Sequence, residues 1–251
     1  MKIILKLISV LFIITLISSC EKDNMFNTRK FDTPAAIYDF PDNKLWKHRV
    51  NTAEEAKTAF KEFRGIELDV FFMDGSNEFQ TGHDAPSGIS LESYFDSIPE
   101  CSQYYYWIDF KNLSMNNVFA AIEKMNKLID KFNLQKRIIV ESDKADVLAF
   151  FISDNIFTSY WISDVSENLI DYFAEKNLID QLESILSRYQ FNAVSAHYNM
   201  LPFMEKYLKK YNCHIWTNGL ITESDKPKIS NFSTKSNVKI ILVDYDVNFL
   251  K

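Results

Sequence analysis

Glycine is scarce, with five residues in a chain of 251. No GxGxxG and no GxxxxGK followed by Ser or Thr occurs, so the sequence lacks both Gly-rich phosphate-cradling fingerprints. Positive charge is also short. The 28 Lys and Arg stand against 34 Asp and Glu, for a net charge of −6. That balance argues against a nucleic-acid partner, because a phosphate backbone is met by a basic face. It leaves room for a small phosphate, which needs only local positive charge. Cysteine numbers three, with no CxxC or metal-like spacing. Apolar residues at 47% and charged residues at 25% are ordinary for a soluble globular protein. The length suits one domain, large enough to bury a core without disulfides.

The first twenty residues are a different material. Lys2 and Lys6 precede an apolar run from Ile8 to Ile17, and Ser18, Ser19 and Cys20 follow. A basic start, an apolar stretch and a small-residue cleavage site read as a signal peptide over 1–19. The apolar run is too short for a membrane-spanning helix. Ile17-Ser18-Ser19-Cys20 resembles a bacterial lipobox, with Ile where Leu is usual, and in that pattern Cys20 becomes the lipidated first residue. Residues 20–35 then read as a lipidated tether and 36–251 as the folded domain. The expectation is an extracytoplasmic protein of a bacterial cell envelope, anchored to a membrane by lipid without crossing it. Cys101 and Cys213 read as buried thiols.

From about Phe31, strand-like and helix-like segments alternate. Strands are expected over 44–50, 66–72, 104–110, 137–141, 157–162, 191–197, 214–217 and 239–244. Helices are expected over 52–63, 116–132, 167–189 and 201–211, with a short one ending near 151. Thr52 and Glu55 have the spacing of a capping box. The segment 73–90 reads as polar and irregular. Eight strands mostly separated by helices predict α/β class and a single-domain TIM-type (β/α)₈ barrel behind the lipoprotein signal peptide. A doubly wound open sheet is the alternative, and the missing Gly-rich turns count against it.

Chemistry in such a barrel sits at the C-terminal strand ends. Glu67 and Asp69 lie two apart on one strand, so both side chains face the same way. Two like charges on one face are costly to bury, and a hard cation removes that cost. Oxygen ligands suit Mg²⁺ or Ca²⁺, and Asp109 on the neighbouring strand offers a third oxygen. His48 and His83 are two of only four histidines. Imidazole titrates near neutrality, so a pair can serve as base and acid in one reaction. Arg49 and Lys111 offer positive charge to a phosphate. His197 ends a strand and could approach the site. His214 is expected near the start of its strand, at the stability face.

The ordered set His48-Arg49, Gly65-Ile66-Glu67-Leu68-Asp69-Val70, Gly82-His83-Asp84 and Ile108-Asp109-Phe110-Lys111 resembles the signature of glycerophosphodiester phosphodiesterases, within the phosphatidylinositol-phospholipase-C-like barrels. The run His48-x-Val50-Asn51 and the Asp109-x-Lys111 pair resemble the sphingomyelinase D-type branch instead. The resemblance implies His48 and His83 as the catalytic pair and Glu67, Asp69 and Asp109 as ligands of one divalent cation. It also implies Arg49 and Lys111 at the phosphate and Trp216 lining the pocket. The implied activity is cleavage of a glycerophosphodiester, a lysophospholipid or a similar alkyl phosphodiester, by hydrolysis or through a cyclic phosphate. A rival of another class is a lipid-anchored barrel that binds a phosphorylated ligand without turnover. A further rival, a glycosidase pairing Glu67 with Glu141, leaves both histidines without a role.

Overall fold

The computed structural model describes residues 41, 43–164 and 172–246. The expected signal peptide, Cys20 and the tether lie outside the described residues, as does the expected helix start at 167. Nine strands are described: β1 Leu45–Lys47, β2 Gly65–Met73, β3 Glu78–Thr81, β4 Tyr105–Phe110, β5 Ile138–Ser142, β6 Phe157–Trp161, β7 Ala193–His197, β8 Asn212–Trp216 and β9 Val238–Val243. Seven α-helices accompany them: α1 Ala53–Ala59, α2 Leu91–Asp96, α3 Val118–Phe132, α4 Ala145–Ser153, α5 Tyr172–Arg188, α6 Leu201–Tyr207 and α7 Lys226–Thr234. Eight strands pair in parallel from β1 through β2, β4, β5, β6, β7, β8 and β9, and β9 pairs back onto β1. The sheet therefore closes into a (β/α)₈ barrel, as expected.

Strand alternation divides the core in two. One set of side chains fills the barrel: Trp46, Trp107, Ile139, Phe157, Ala193, Ile240 and Leu242 form a buried cluster. The alternate set, with Ile66, Leu68, Val70, Ile108 and Val140, packs outward with the helices. Gly65 makes room for the Trp46 indole, since a Cβ there would stand 2.1 Å from the ring. The helices obey their own period. In α3, Val118, Ala121, Ile122, Met125 and Leu128 are buried on one stripe. The helix ends at Asn133, whose left-handed conformation (φ 55°) closes it. Thr52 and Glu55 form the expected capping box on α1.

Three expectations need correction. The segment 73–90 is not wholly irregular: β3 folds back antiparallel on the outer half of β2, with Val70 opposite Thr81. Helices α2 and α7 fall in stretches that carry no expected element. His214 is not at a strand start. It is the third residue of β8, fully buried within the barrel, with Trp107 and Phe157 rings 5.0 and 6.0 Å away. Cys101 and Cys213 are free buried thiols, as expected. No helix among the described residues is long and apolar enough to cross a membrane.

Candidate active site

Register brings the acids together. In the parallel pair β2–β4, Asp69 stands opposite Asp109, and in β4–β5 Asp109 stands opposite Glu141. Glu67 lies one inward position below Asp69. One oxygen from each of Glu67, Asp69 and Asp109 falls within 4.8 Å of the others. Glu67 and Asp69 are each 2% exposed. Burial, then the charges of Asp69 and Asp109, pushes the Glu67 carboxyl well above its ordinary range. Burial likewise raises Asp109, against the opposing pull of Lys111. Three crowded carboxyls with this electrostatics, offering only oxygen donors, fit a hard divalent cation.

The neighbours hold these groups in place. Lys111 Nζ lies 2.6 Å from Asp69 Oδ1 and 2.5 Å from Asp109 Oδ2. Despite its partial burial, the two carboxylates raise the Lys111 pKa and keep the ammonium charged. The Asn51 amide donates to Asp69 Oδ2 at 2.8 Å, and its carbonyl oxygen accepts from the Asp69 backbone N–H at 2.8 Å. The Arg49 backbone N–H donates to Glu67 Oε2 at 2.7 Å. Arg49 adopts φ 54°, a left-handed backbone that costs energy for a side chain with a Cβ. That turn directs the chain end of β1 into the acids.

Both histidines are tied to carboxylates. His48 Nδ1 is 2.9 Å from Asp244 Oδ1, just past β9, and its Nε2 is 3.7 Å from Glu67 Oε2. Burial acts to raise the Asp244 pKa. The hydrogen bond and charge of His48, with Arg49 and Lys47, outweigh it and hold the carboxyl below the usual range. An ionised Asp244 fixes Nδ1 as the donor and turns Nε2 toward the acids. His83 Nδ1 is 2.7 Å from the exposed Asp84. Its position depends on Gly82, whose φ of 141° and 2.2 Å clearance to the Ala85 carbonyl oxygen admit no Cβ.

His48, Arg49, Glu67, Asp69, His83, Asp109, Lys111 and Trp216 all line one cavity of about 180 Å³. The structure thus gathers every site residue expected within the domain, while Cys20 lies outside the described residues. Glu141, Trp161, Asn218 and Leu242 line the same cavity. Trp161 and Trp216 meet edge to face with ring centroids 6.0 Å apart. Glu141 accepts hydrogen bonds from Trp107 Nε1 at 2.9 Å and from Ser195 Oγ. Burial, then the charge of Asp109, pushes its carboxyl up to about 8. His197 is not among the lining residues; its Nδ1 lies 3.1 Å from Asp164. Asp244 and Trp161 escaped the sequence reading. Their one signal was an inward position at a strand end, which many residues share.

No protein-family model matches the sequence, and no curated protein matches it. Solved structures do match the fold. It is shared with glycerophosphodiester phosphodiesterases. One from Parabacteroides distasonis superposes with a TM-score of 0.60 at 15% identity, covering 82% of this chain and 94% of that one. A phosphodiesterase from Oleispira antarctica, in complex with the product sn-glycerol-3-phosphate, matches with a TM-score of 0.59 at 14% identity, over 84% of this chain and 95% of that one. A glycerophosphodiester phosphodiesterase from Agrobacterium tumefaciens gives 0.54 at 14% identity, over 82% and 98%.

Proposed function

We propose that the protein is a metal-dependent phosphodiesterase of the glycerophosphodiester phosphodiesterase type. It would cleave a glycerophosphodiester, a lysophospholipid or a similar alkyl phosphodiester. The observation that carries this reading is the meeting of two carboxylate-tied imidazoles, three acids, Lys111 and Arg49 at one cavity. The barrel's likeness to solved phosphodiesterases, one of them holding sn-glycerol-3-phosphate, supports it. Lipid anchoring through Cys20, extracytoplasmic in a bacterial cell envelope, belongs to the same proposal and rests on the sequence.

Glu67, Asp69 and Asp109 would hold the cation, Mg²⁺ or Ca²⁺. When bound it supplies positive charge to the phosphoryl oxygens. Arg49 and Lys111 add their own charge where the transition state accumulates negative charge. One imidazole takes the proton of the attacking hydroxyl, from water or from the substrate, as the new P–O bond forms. The other returns a proton to the alkoxide as the old P–O bond breaks. Asp244 keeps His48 in the tautomer that presents Nε2, and the 2.7 Å contact with Asp84 helps to orient His83.

The test is hydrolysis of bis(p-nitrophenyl) phosphate and a panel of glycerophosphodiesters and lysolipids, with and without EDTA. His48→Ala and His83→Ala are assayed alongside. Activity that needs both histidines and is lost in EDTA supports the reading. Full activity in EDTA, or in either variant, overturns the mechanism. A folded, metal-loaded protein silent on the whole panel favours a barrel that only binds phosphorylated ligands.

A further inference from the structure

We propose that His197 is a specificity-determining residue of this site, its Nε2 accepting a hydrogen bond from a hydroxyl on the alcohol arm of the substrate. The inference deepens the phosphodiesterase reading above and rests on it for the reacting phosphate. The cavity is divided by charge. Its charged and titratable lining comes from β1, β2, β4, β5 and the loop after β3. The remaining lining is Trp161 on β6, Trp216 and Asn218 at the end of β8, and Leu242 on β9, none of them ionisable. A phosphate belongs in the charged half, because that is where its charge is met. An uncharged arm then lies across the mouth, against the two tryptophans.

His197 ends β7, the strand between β6 and β8. Two relations fix its direction. It stands opposite the cavity-lining Trp216 in the β7–β8 register. It also lies two residues beyond Ser195, whose Oγ donates to Glu141 inside the barrel. Side chains paired in register, and those two apart on one strand, share a face of the sheet. His197 therefore points inward at the rim, just beyond the uncharged half of the cavity.

The ring is held there. Its Nδ1 is 3.1 Å from Asp164 Oδ2, its centroid is 4.3 Å from that of Tyr198, and its side chain is 16% exposed. A carboxylate beside Nδ1 favours the tautomer with the proton on that nitrogen and leaves Nε2 as the acceptor. No described residue bonds Nε2. The charges that face the ring are Asp164 and Lys228, opposite in sign. Burial, joined by Lys228, outweighs Asp164 and holds the imidazole below its ordinary range. At pH 7 the ring is neutral. It offers an acceptor to a hydroxyl, and it has nothing to gain from a plain alkyl chain.

The experiment compares two diesters that differ in the arm alone, methyl 2,3-dihydroxypropyl phosphate and methyl propyl phosphate, with Mg²⁺ present. Calorimetry reads binding, and phosphorus NMR reads the monoester released. The parent should favour the dihydroxypropyl diester by about tenfold, in Kd and in KM. His197→Leu should lose that preference, and His197→Gln, whose amide oxygen can accept, should restore most of it. Nitrogen NMR of the parent gives a reading that needs no variant: the His197 Nε2 signal, one of four histidines, should move on adding the dihydroxypropyl diester and stay with the propyl one. A parent that treats both diesters alike overturns the proposal, as does an Nε2 signal indifferent to the arm. His197→Leu with the preference intact, or with both diesters weakened equally, overturns it in favour of a ring that only holds Asp164. Equal cleavage of the two diesters upholds the phosphodiesterase reading and defeats only His197. Preference in binding without any cleavage leaves His197 assigned and defeats only the catalytic reading.

Discussion

Asp244 Oδ1 accepts from His48 Nδ1 at 2.9 Å across 196 residues of sequence. Closure of β9 against β1 makes the contact, with Lys47 opposite Val243 one residue before each partner. The imidazole is thereby oriented by the element that seals the barrel.

Asp244→Asn should keep the fold and disturb the tautomer, since an amide can donate as well as accept. The expected outcome is a drop in kcat of roughly 10²–10⁴-fold with KM little changed. Steady-state kinetics across pH 5–9 checks it, and a kcat within a few-fold of the parent would sink the assigned role.

Stability should depend on pH through the buried acids. Burial raises Glu141 from 4.5 to about 8. A raised folded-state pKa gives stability that is full below pH 4.5 and lost as pH rises through 8. Glu67 and Asp109 act in the same direction. In EDTA, the melting temperature should therefore fall between pH 5 and 8. Glu141→Gln should flatten that slope by a contribution on the order of a few kcal/mol. Calorimetry of both proteins over the pH range is the check; parallel curves would remove Glu141 as a cause.

A divalent cation should stabilise the folded chain, and more so at pH 8 than at pH 5, because its ligands must be ionised. At a hundred times its Kd the gain is about 2.7 kcal/mol, or roughly 5–10 °C for a domain of this size. Glu67→Gln with Asp109→Asn should abolish the response to Mg²⁺ and Ca²⁺. Thermal melts with added metal decide it, and an equal response in the double variant would place the cation elsewhere.

Gly65→Ala should destabilise strongly for so small a change. Its Cβ would meet the Trp46 ring at 2.1 Å inside a closed barrel. The expected cost is about 1–3 kcal/mol, read as a lowered urea midpoint with an unchanged m-value.

Much of this protein was written in local pattern. Glu67 and Asp69 share a face because a strand repeats every two residues. Thr52 and Glu55 announced the start of α1 three residues apart. The eight-strand alternation announced the barrel, because parallel strands require crossovers. Local pattern failed where the signal was weak. The hairpin β3 is four polar-rich residues, and α2 is only six residues long.

By itself, then, the sequence determined the parallel barrel, the facing pair Glu67 and Asp69, and the eight candidate residues that the fold brings to one cavity. Tertiary structure alone decided that Asp244 orients His48, that Glu141 is clasped by Trp107 and Ser195, and that Trp161 faces Trp216. The reason is one of range. Periodicity and capping act over a few residues, whereas these contacts join strands 34 to 196 positions apart. Only the register of a closed sheet selects which distant partners meet.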